Sequence, residues 1–323
     1  MSPSPLWAWG SFWLLIGSLL LFDLVLHRGA RVQSSRSAIG WSVTWILAGL
    51  GFTGVVAAAS GRDAASDYLA AYAIEKSLSI DNLFVWMIIF RSLGIATPSQ
   101  RSVLLWGVLG ALVFRALFIF AGLEVIERWD WIAYVLSALL AWSAYKTLRE
   151  SPSEKGQARL VRTVSRFLPV AEGGSPGSFL VCQDGRWKAT PLLIALCIVE
   201  VSDILFAIDS VPAVLSVSHD ALVVYGSNAF AILGLRSLYQ VLARTLSGLR
   251  YLHYGIGAVL AFAAAKLAVS DWIHVPGLLA VGIVATCIGL AIWLSLRGNG
   301  ERVDAFICTS SGPSSRRHHE GSR

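Results

Sequence analysis

The chain has 323 residues, 55% of them hydrophobic and only 14% charged, with a formal net charge of +6. A water-soluble domain carries about 25% charged residues, so this composition excludes one, and a mean hydropathy of +0.65 points to a polytopic membrane protein. The four cysteines (Cys182, Cys197, Cys287 and Cys308) form no Cys-x-x-Cys pair and no zinc or disulfide framework.

A hydrocarbon core about 30 Å thick takes about 20 helical residues to cross. Nine apolar runs are candidates: 6–26, 38–59, 68–90, 102–123, 130–148, 190–212, 220–242, 253–269 and 275–296. The first has no basic segment before it, and Arg28, Arg31 and Arg36 follow it, so it reads as a retained helix with its N-terminus outside. The loops after runs 1, 3, 5 and 7 and the C-terminal tail hold 20 of the 26 Lys and Arg, counting Lys146 with the fifth loop. The opposite side holds Arg62 and Arg128, while Lys76, Arg115, Arg236 and Lys266 fall within runs. This skew predicts nine crossings with the C-terminus inside. It also accounts for the basic balance without nucleic acid as a partner.

The fold class expected is therefore all-α, with a transmembrane domain over 1–297. The 149–189 connection is the one long loop. Glu172-Gly-Gly-Ser-Pro-Gly177 within it reads as flexible, and 159–166 as a short basic surface helix. The Ser/Gly/Arg-rich tail, 298–323, reads as disordered.

The sequence also repeats itself. Phe114-Arg-Ala-Leu-Phe118 returns as Leu235-Arg-Ser-Leu-Tyr239. The stretch from Tyr134 to Lys146 returns as Tyr254 to Lys266, with Tyr, Ala, Leu and Lys in register. Asp81 and Asp203 both precede a Leu-Phe pair. Runs 3–5 (about 68–148) thus resemble runs 6–8 (about 190–269). A shift of three crossings makes the second copy inverted, as in transporters with a polar site near the midplane. A second register is equally compatible with the sequence. It matches Asp81-Asn82 to Asp209-Ser210 and Glu75 to Asp203.

Two acidic stretches stand at the start of these copies: Glu75-Lys-Ser-Leu-Ser-Ile-Asp-Asn82 and Glu200-Val-Ser-Asp-Ile-Leu-Phe-Ala-Ile-Asp-Ser210. One ionised carboxylate at the bilayer centre costs roughly 2.5–3.5 kcal/mol on insertion scales. Five of them (Glu75, Asp81, Glu200, Asp203 and Asp209) need compensation, and a cation supplies it. Glu75, Ser79 and Asn82 share a helix face. Pro212 frees the carbonyl of Ile208, which predicts a loosened turn around Asp209. The polar groups here are oxygens, including Ser77, Ser79, Ser202, Ser210 and the Asn82 amide, a set that suits hard divalent cations. Pairing of the acids with Lys76, Arg115, Arg236 and Lys266 as structural ion pairs is the alternative. For Asn228, a helix–helix hydrogen bond and a site contribution both remain open. The Trp residues near run ends fit an interfacial belt. No protease, hydrolase or zinc motif appears, so no enzyme is expected.

At these residues the sequence resembles the TerC family of bacterial integral membrane proteins. The likeness rests on Glu75-x-Ser-Leu-Ser-x-Asp-Asn82, on Glu200-x-Ser-Asp-x-x-Phe-Ala-x-Asp-Ser-x-Pro212 and on Ser227-Asn228-x-Phe-Ala-Ile-Leu-Gly-Leu-Arg236. It covers about residues 6–296. The resemblance implies an inner-membrane protein linked to tellurium resistance and, in some branches, to manganese export. It also implies metal-site acids at Glu75, Asp81, Glu200, Asp203 and Asp209. Asn82 and Ser210 are expected as further oxygen donors, with Arg115, Arg236 and Asn228 in support. The expected function is export of a divalent cation, Mn²⁺ first, in exchange for protons, with the metal as substrate and no resident cofactor. The alternative is a non-transporting scaffold that meets a membrane partner through 149–189. Tellurite itself does not suit a site that five acids make anion-repelling.

Overall fold

The computed structural model describes residues 5–26, 35–129, 131–149, 178–183, 186–245, 251–269, 272–273 and 275–310. It is a helical bundle of nine helices and one hairpin among the described residues: α1 (Leu6–Leu26), α2 (Ser35–Ser92), α3 (Thr97–Arg128), α4 (Trp131–Arg149), β1 (Leu180–Gln183), β2 (Arg186–Ala189), α5 (Pro191–Leu215), α6 (Ala221–Leu233), α7 (Leu235–Thr245), α8 (Leu252–Ala268) and α9 (Gly277–Ser310). Among the described residues five helical spans are long and apolar enough to cross a membrane, one of them α6 with α7 (Ala221–Val241), and 6–22 and 253–268 are shorter apolar helices. The chain is an all-α polytopic membrane protein. Helices satisfy every backbone polar group within the segment, which lipid demands.

Four features depart from the sequence reading. Runs 2 and 3 are not separated by a loop. They are the arms 35–60 and 62–92 of α2, joined at Gly61, whose φ of 93° and ψ of 179° lie outside helical space. Only glycine occupies that region readily, so one residue does the work expected of several. Run 7 is one apolar span, Ala221–Val241, with a one-residue break in its helix at Gly234, whose own φ of −74° and ψ of −10° stay helical. The loosened turn expected below Pro212 is absent: Pro212 lies inside α5, which is helical from Pro191 to Leu215.

The fourth departure is the hairpin within the 149–189 connection, pairing Leu180 with Ala189 and Cys182 with Trp187. The dipeptide between the strands, Asp184-Gly185, is a two-residue turn signal that was available in the sequence. The surface helix expected at 159–166, the flexible 172–177 and the last tail residues, 311–323, lie outside the described residues. Helix α9 itself continues to Ser310, past the expected limit at 297.

The helices pack in a definite pattern: α2 on α6, α3 on α5 and α4 on α8, with α9 covering α2 and α8. Helix α1 seats through aromatic rings, Phe12 lying 5.7 Å from Phe52 and 5.6 Å from Tyr225 by ring centroids. Close approach is set by glycines where helices cross. A Cβ on Gly49 would meet the Tyr72 ring at 2.8 Å, and one on Gly107 would meet Val199 at 2.9 Å. The joint of α2 is tied to the α5–α6 connection by the Ser60 hydroxyl, which donates to Asp220 at 3.1 Å. Asp220 also caps α6 by accepting from the Leu222 N–H.

Candidate functional site

The second arm of α2 and helices α3, α5 and α6 converge on one buried guanidinium. Arg115 Nη1 donates to Glu75 Oε2 at 2.6 Å. Its Nη2 and Nε donate to the two oxygens of Asp203 at 3.2 and 3.3 Å. Nη1 also reaches the Ser210 hydroxyl at 3.3 Å. The side chains of Arg115, Glu75 and Asp203 are 1%, 0% and 4% exposed. The planar fork of Arg makes this possible, because it can serve two carboxylates from two helices at once.

Two amides complete the cluster. Asn228 Nδ2 donates to the other oxygen of Glu75 at 2.8 Å, so Asn228 is both a helix–helix bond and part of the site. Asn82 Nδ2 donates to Asp203 at 3.3 Å. Both amides spend their donors on carboxylates, and both carbonyl oxygens, Asn82 Oδ1 and Asn228 Oδ1, are buried without a hydrogen-bond partner. A buried unpaired carbonyl costs about 1–3 kcal/mol. Both oxygens belong to amides bonded to the cluster's carboxylates and are hard oxygen donors.

The remaining predicted residues are distributed round this centre. The half-buried Glu200 lies on α5 within electrostatic reach of Asp203. Its Oε2 is buried without a partner, and its carboxyl rests against Gly110 of α3, where a Cβ would collide with it. Asp209 faces Ser143 and Lys146 of α4. Together with Asn82, Arg115, Ser210 and Thr147 it lines a cavity of about 60 Å³, room for a bare ion or a water or two. Ser79 and Ser202 bond backward to Lys76 and Ile198 carbonyls of their own helices. Arg236 is half-buried on α7. Asp81 occupies α2 beside Asn82, and its side chain lies outside the described residues. Of the four expected acids whose side chains are described, Glu75 and Asp203 meet on Arg115, while Glu200 and Asp209 lie round that pair. Among the described residues no group of three or more His, Cys, Asp and Glu could hold a metal ion, and Arg115 holds the central place between Glu75 and Asp203.

Sequence reasoning missed Gly110, Ser143 and Thr147, and named Lys76 only as an ion-pair partner. Gly110 makes room for Glu200, and a small residue one turn after Gly107 was its signal. Ser143 and Thr147 sit four apart on α4, a polar stripe in an apolar run. Lys76 donates to the Ala231 carbonyl at 3.2 Å, close to the interruption between α6 and α7. Gly234 gives it space, since a Cβ there would lie 3.0 Å from Nζ.

A second cavity, about 1170 Å³, meets α2 at Ala64 and Asp67, α3 at Ala116 and Phe120, and α6 at Tyr225. The 60 Å³ cavity meets α2 at Leu78 and Asn82. Glu75 lies between these two contact points along α2, and Arg115 itself lines the smaller cavity.

The profile described as Integral membrane protein TerC family matches residues 60–301. A Myxococcus xanthus protein named "Uncharacterized membrane protein STKORF319" is 38% identical over 291 residues, 89% of this chain and 91% of its own. A Salmonella typhi protein named "Putative membrane-bound redox modulator Alx" is 36% identical over 306 residues, 91% of this chain and 95% of its own. Its namesake from Escherichia coli K12 is 35% identical over 310 residues, 91% and 97% of the two chains. No solved structure matches.

Proposed function

This chain belongs to the TerC family of integral membrane proteins, and from that premise we propose that it is a secondary transporter, not an enzyme, which exports a divalent cation, Mn²⁺ first, in exchange for protons. The observation that carries the reading is the Glu75–Arg115–Asp203 bridge. Two buried carboxylates meet one guanidinium, with two orphaned amide oxygens beside them. Two formal negative charges against one positive leave the cluster short of one positive charge. A cation entering from either cavity meets that deficit, takes the carboxylates and amide oxygens, and displaces Arg115. Glu200 and Asp209 flank the cluster and supply carboxyls for proton exchange. When the cation leaves, Arg115 returns and prevents two bare carboxylates from facing each other in a low-dielectric interior.

The helix pairing supports an inverted repeat of α2 (second arm), α3 and α4 with α5, α6–α7 and α8. Exchanging the two halves turns the α2–α6 contact into the α5–α3 contact and leaves α4–α8 unchanged. The register supported is the one that matches Glu75 to Asp203 and Asn82 to Ser210. Those four residues all sit on or beside Arg115. The reading includes nine crossings, N-terminus out and C-terminus in, in a bacterial inner membrane, supported by the Lys and Arg skew. A redox role, as in the name carried by some relatives, would have to run through cysteines. Cys182, Cys197 and Cys287 are free and stand on β1, α5 and α9, while the buried cluster has no redox chemistry of its own.

The test is Mn²⁺ flux in proteoliposomes of known orientation under an imposed pH gradient. Wild type is expected to carry Mn²⁺ against the proton gradient, and Glu75→Gln or Asp203→Asn to lose at least tenfold in rate. Equal flux in all three overturns the assignment. A scaffold acting through 149–189 would instead keep its cellular phenotype in both variants and lose it on deletion of 150–177.

A further inference from the structure

The hairpin β1–β2 is built inside out for water. Strand alternation puts Leu180, Cys182, Trp187 and Ala189 on one face, of which only Ala189, next to α5, is buried. Val181, Gln183 and Lys188 take the other. In a hairpin lying on a soluble surface, the apolar face would be covered and the polar face open. Here Leu180 and Trp187 are 49% and 70% exposed, and Cys182 is exposed as well. Val181, Gln183 and Lys188 are the half-covered ones, and Lys188 Nζ donates to the Gln183 side chain at 3.4 Å. Open apolar surface of this kind needs a non-aqueous partner.

The place of the hairpin in the fold names that partner. Strand β2 ends at Ala189, and Pro191 already begins α5, a helix long and apolar enough to cross the membrane. The single residue between them is locked: Thr190 N–H donates to the Phe179 carbonyl at 3.1 Å, and its hydroxyl donates to the Ser178 carbonyl at 2.7 Å. Strand rise puts Trp187 about 13 Å from the first residue of α5. The hairpin thus runs directly into a membrane-crossing helix, which keeps it close to the bilayer surface. Tryptophan is the residue favoured in that layer, where an apolar ring with one N–H donor satisfies both tail and headgroup. The same chemistry recurs at helix ends elsewhere. Arg149 lies over the Tyr145 ring at 4.7 Å and Arg297 over Trp293 at 4.8 Å, exposed aromatics each paired with a cation one turn on.

We propose that the apolar face of this hairpin, Leu180, Cys182 and Trp187, is a membrane-surface anchor that inserts into the interfacial layer of the lipid bilayer. It holds the hairpin against the membrane beside the N-terminal end of α5. The inference stands apart from the transport reading, since it needs only that α5 crosses the bilayer.

Cys182 makes the test direct. The full-length chain, with Cys197, Cys287 and Cys308 replaced by Ala, is labelled at Cys182 with an environment-sensitive fluorophore. It is then reconstituted in phosphatidylethanolamine/phosphatidylglycerol vesicles. Lipid carrying a spin label near the headgroup should quench the label at least threefold more strongly than aqueous iodide does. Trp187→Glu should reverse that ratio, and Lys188→Gln on the opposite face should leave it unchanged. Dominant iodide quenching in the parent protein overturns the proposal. So does protection from both quenchers, which would mean that residues 150–177 or a second copy cover the face.

Discussion

Glu75 and Asp203 stand on different helices and do not bond to each other, yet they share one guanidinium, with Arg115 Nη1 on the first and Nη2 and Nε on the second. All three side chains are almost wholly withdrawn from solvent. Breaking a buried ion pair by removing one member costs far more than the pair contributes, about 3–5 kcal/mol in soluble proteins, because a charge is left without a partner. Arg115→Met is therefore expected to lower thermal stability in detergent sharply. Arg115→Lys should recover only part of it, since an ammonium cannot bridge both carboxylates. Adding Glu75→Gln to Arg115→Met should restore stability relative to the single variant, a coupling that a double-mutant cycle of melting temperatures reads directly.

Gly110 and Glu200 make a sharper probe of function. A Cβ on Gly110 runs into the Glu200 carboxyl, which is the free end of a flexible side chain and can move aside. Gly110→Ala is expected to displace Glu200 at a stability cost of about 1 kcal/mol or less, while lowering Mn²⁺ flux severalfold. In the Glu200→Ala background the same change should have no further effect on flux. Gly17→Ala, with nothing within 4 Å of the added methyl, is the matched control. Additive losses in the double variant would detach Gly110 from Glu200.

Gly61 carries the turn between the two arms of α2. Its φ of 93° with ψ of 179° is a conformation other residues adopt only under strain, although open space surrounds the position. Gly61→Ala should cost about 1–3 kcal/mol through the backbone alone. Gly51→Ala, in a helical part of the first arm with equally open surroundings, should be neutral or stabilise by up to about 1 kcal/mol. Melting temperatures of the two variants in the same detergent decide it.

His219 lies in the connection between α5 and α6 with Nε2 buried and unpartnered. Burial holds its pKa below the ordinary value. The Glu127 carboxylate opposes that shift and the Lys266 ammonium adds to it. The folded protein thus keeps this ring neutral where an unfolded chain, with an ordinary pKa of about 6.5, takes up a proton. The stability difference is absent at high pH, appears as pH falls below about 6.5, and levels off below the folded pKa. His219→Gln should flatten this part of the acid-side decline, read as melting temperature against pH from 7.5 to 5. An unchanged profile would remove His219 from the acid response.

The sequence by itself determined most of the architecture. Nine apolar runs became helices, since period and apolarity are local properties that any helix must satisfy in lipid. The acids that anchor the site, Glu75 and Asp203, were legible because a carboxylate in an apolar run is an energetic anomaly wherever the chain goes. Arg115 was visible for the same reason, but not its role. Whether a buried cation neutralises one acid, bridges two or stands elsewhere depends on which helices cross beside it. Only tertiary structure decided that Glu75, Asp203 and Ser210 meet on one guanidinium, with Asn82 and Asn228 on its two carboxylates and Glu200 and Asp209 at the margin. It also decided that the chain breaks helical geometry at Gly61 and keeps Pro212 inside an unbroken helix. A proline inside a long buried helix can be held in place by packing on every side, whereas a glycine yields where neighbouring helices need the space. Residue type sets the cost of burying a charge, and the helix crossings choose which partner meets it.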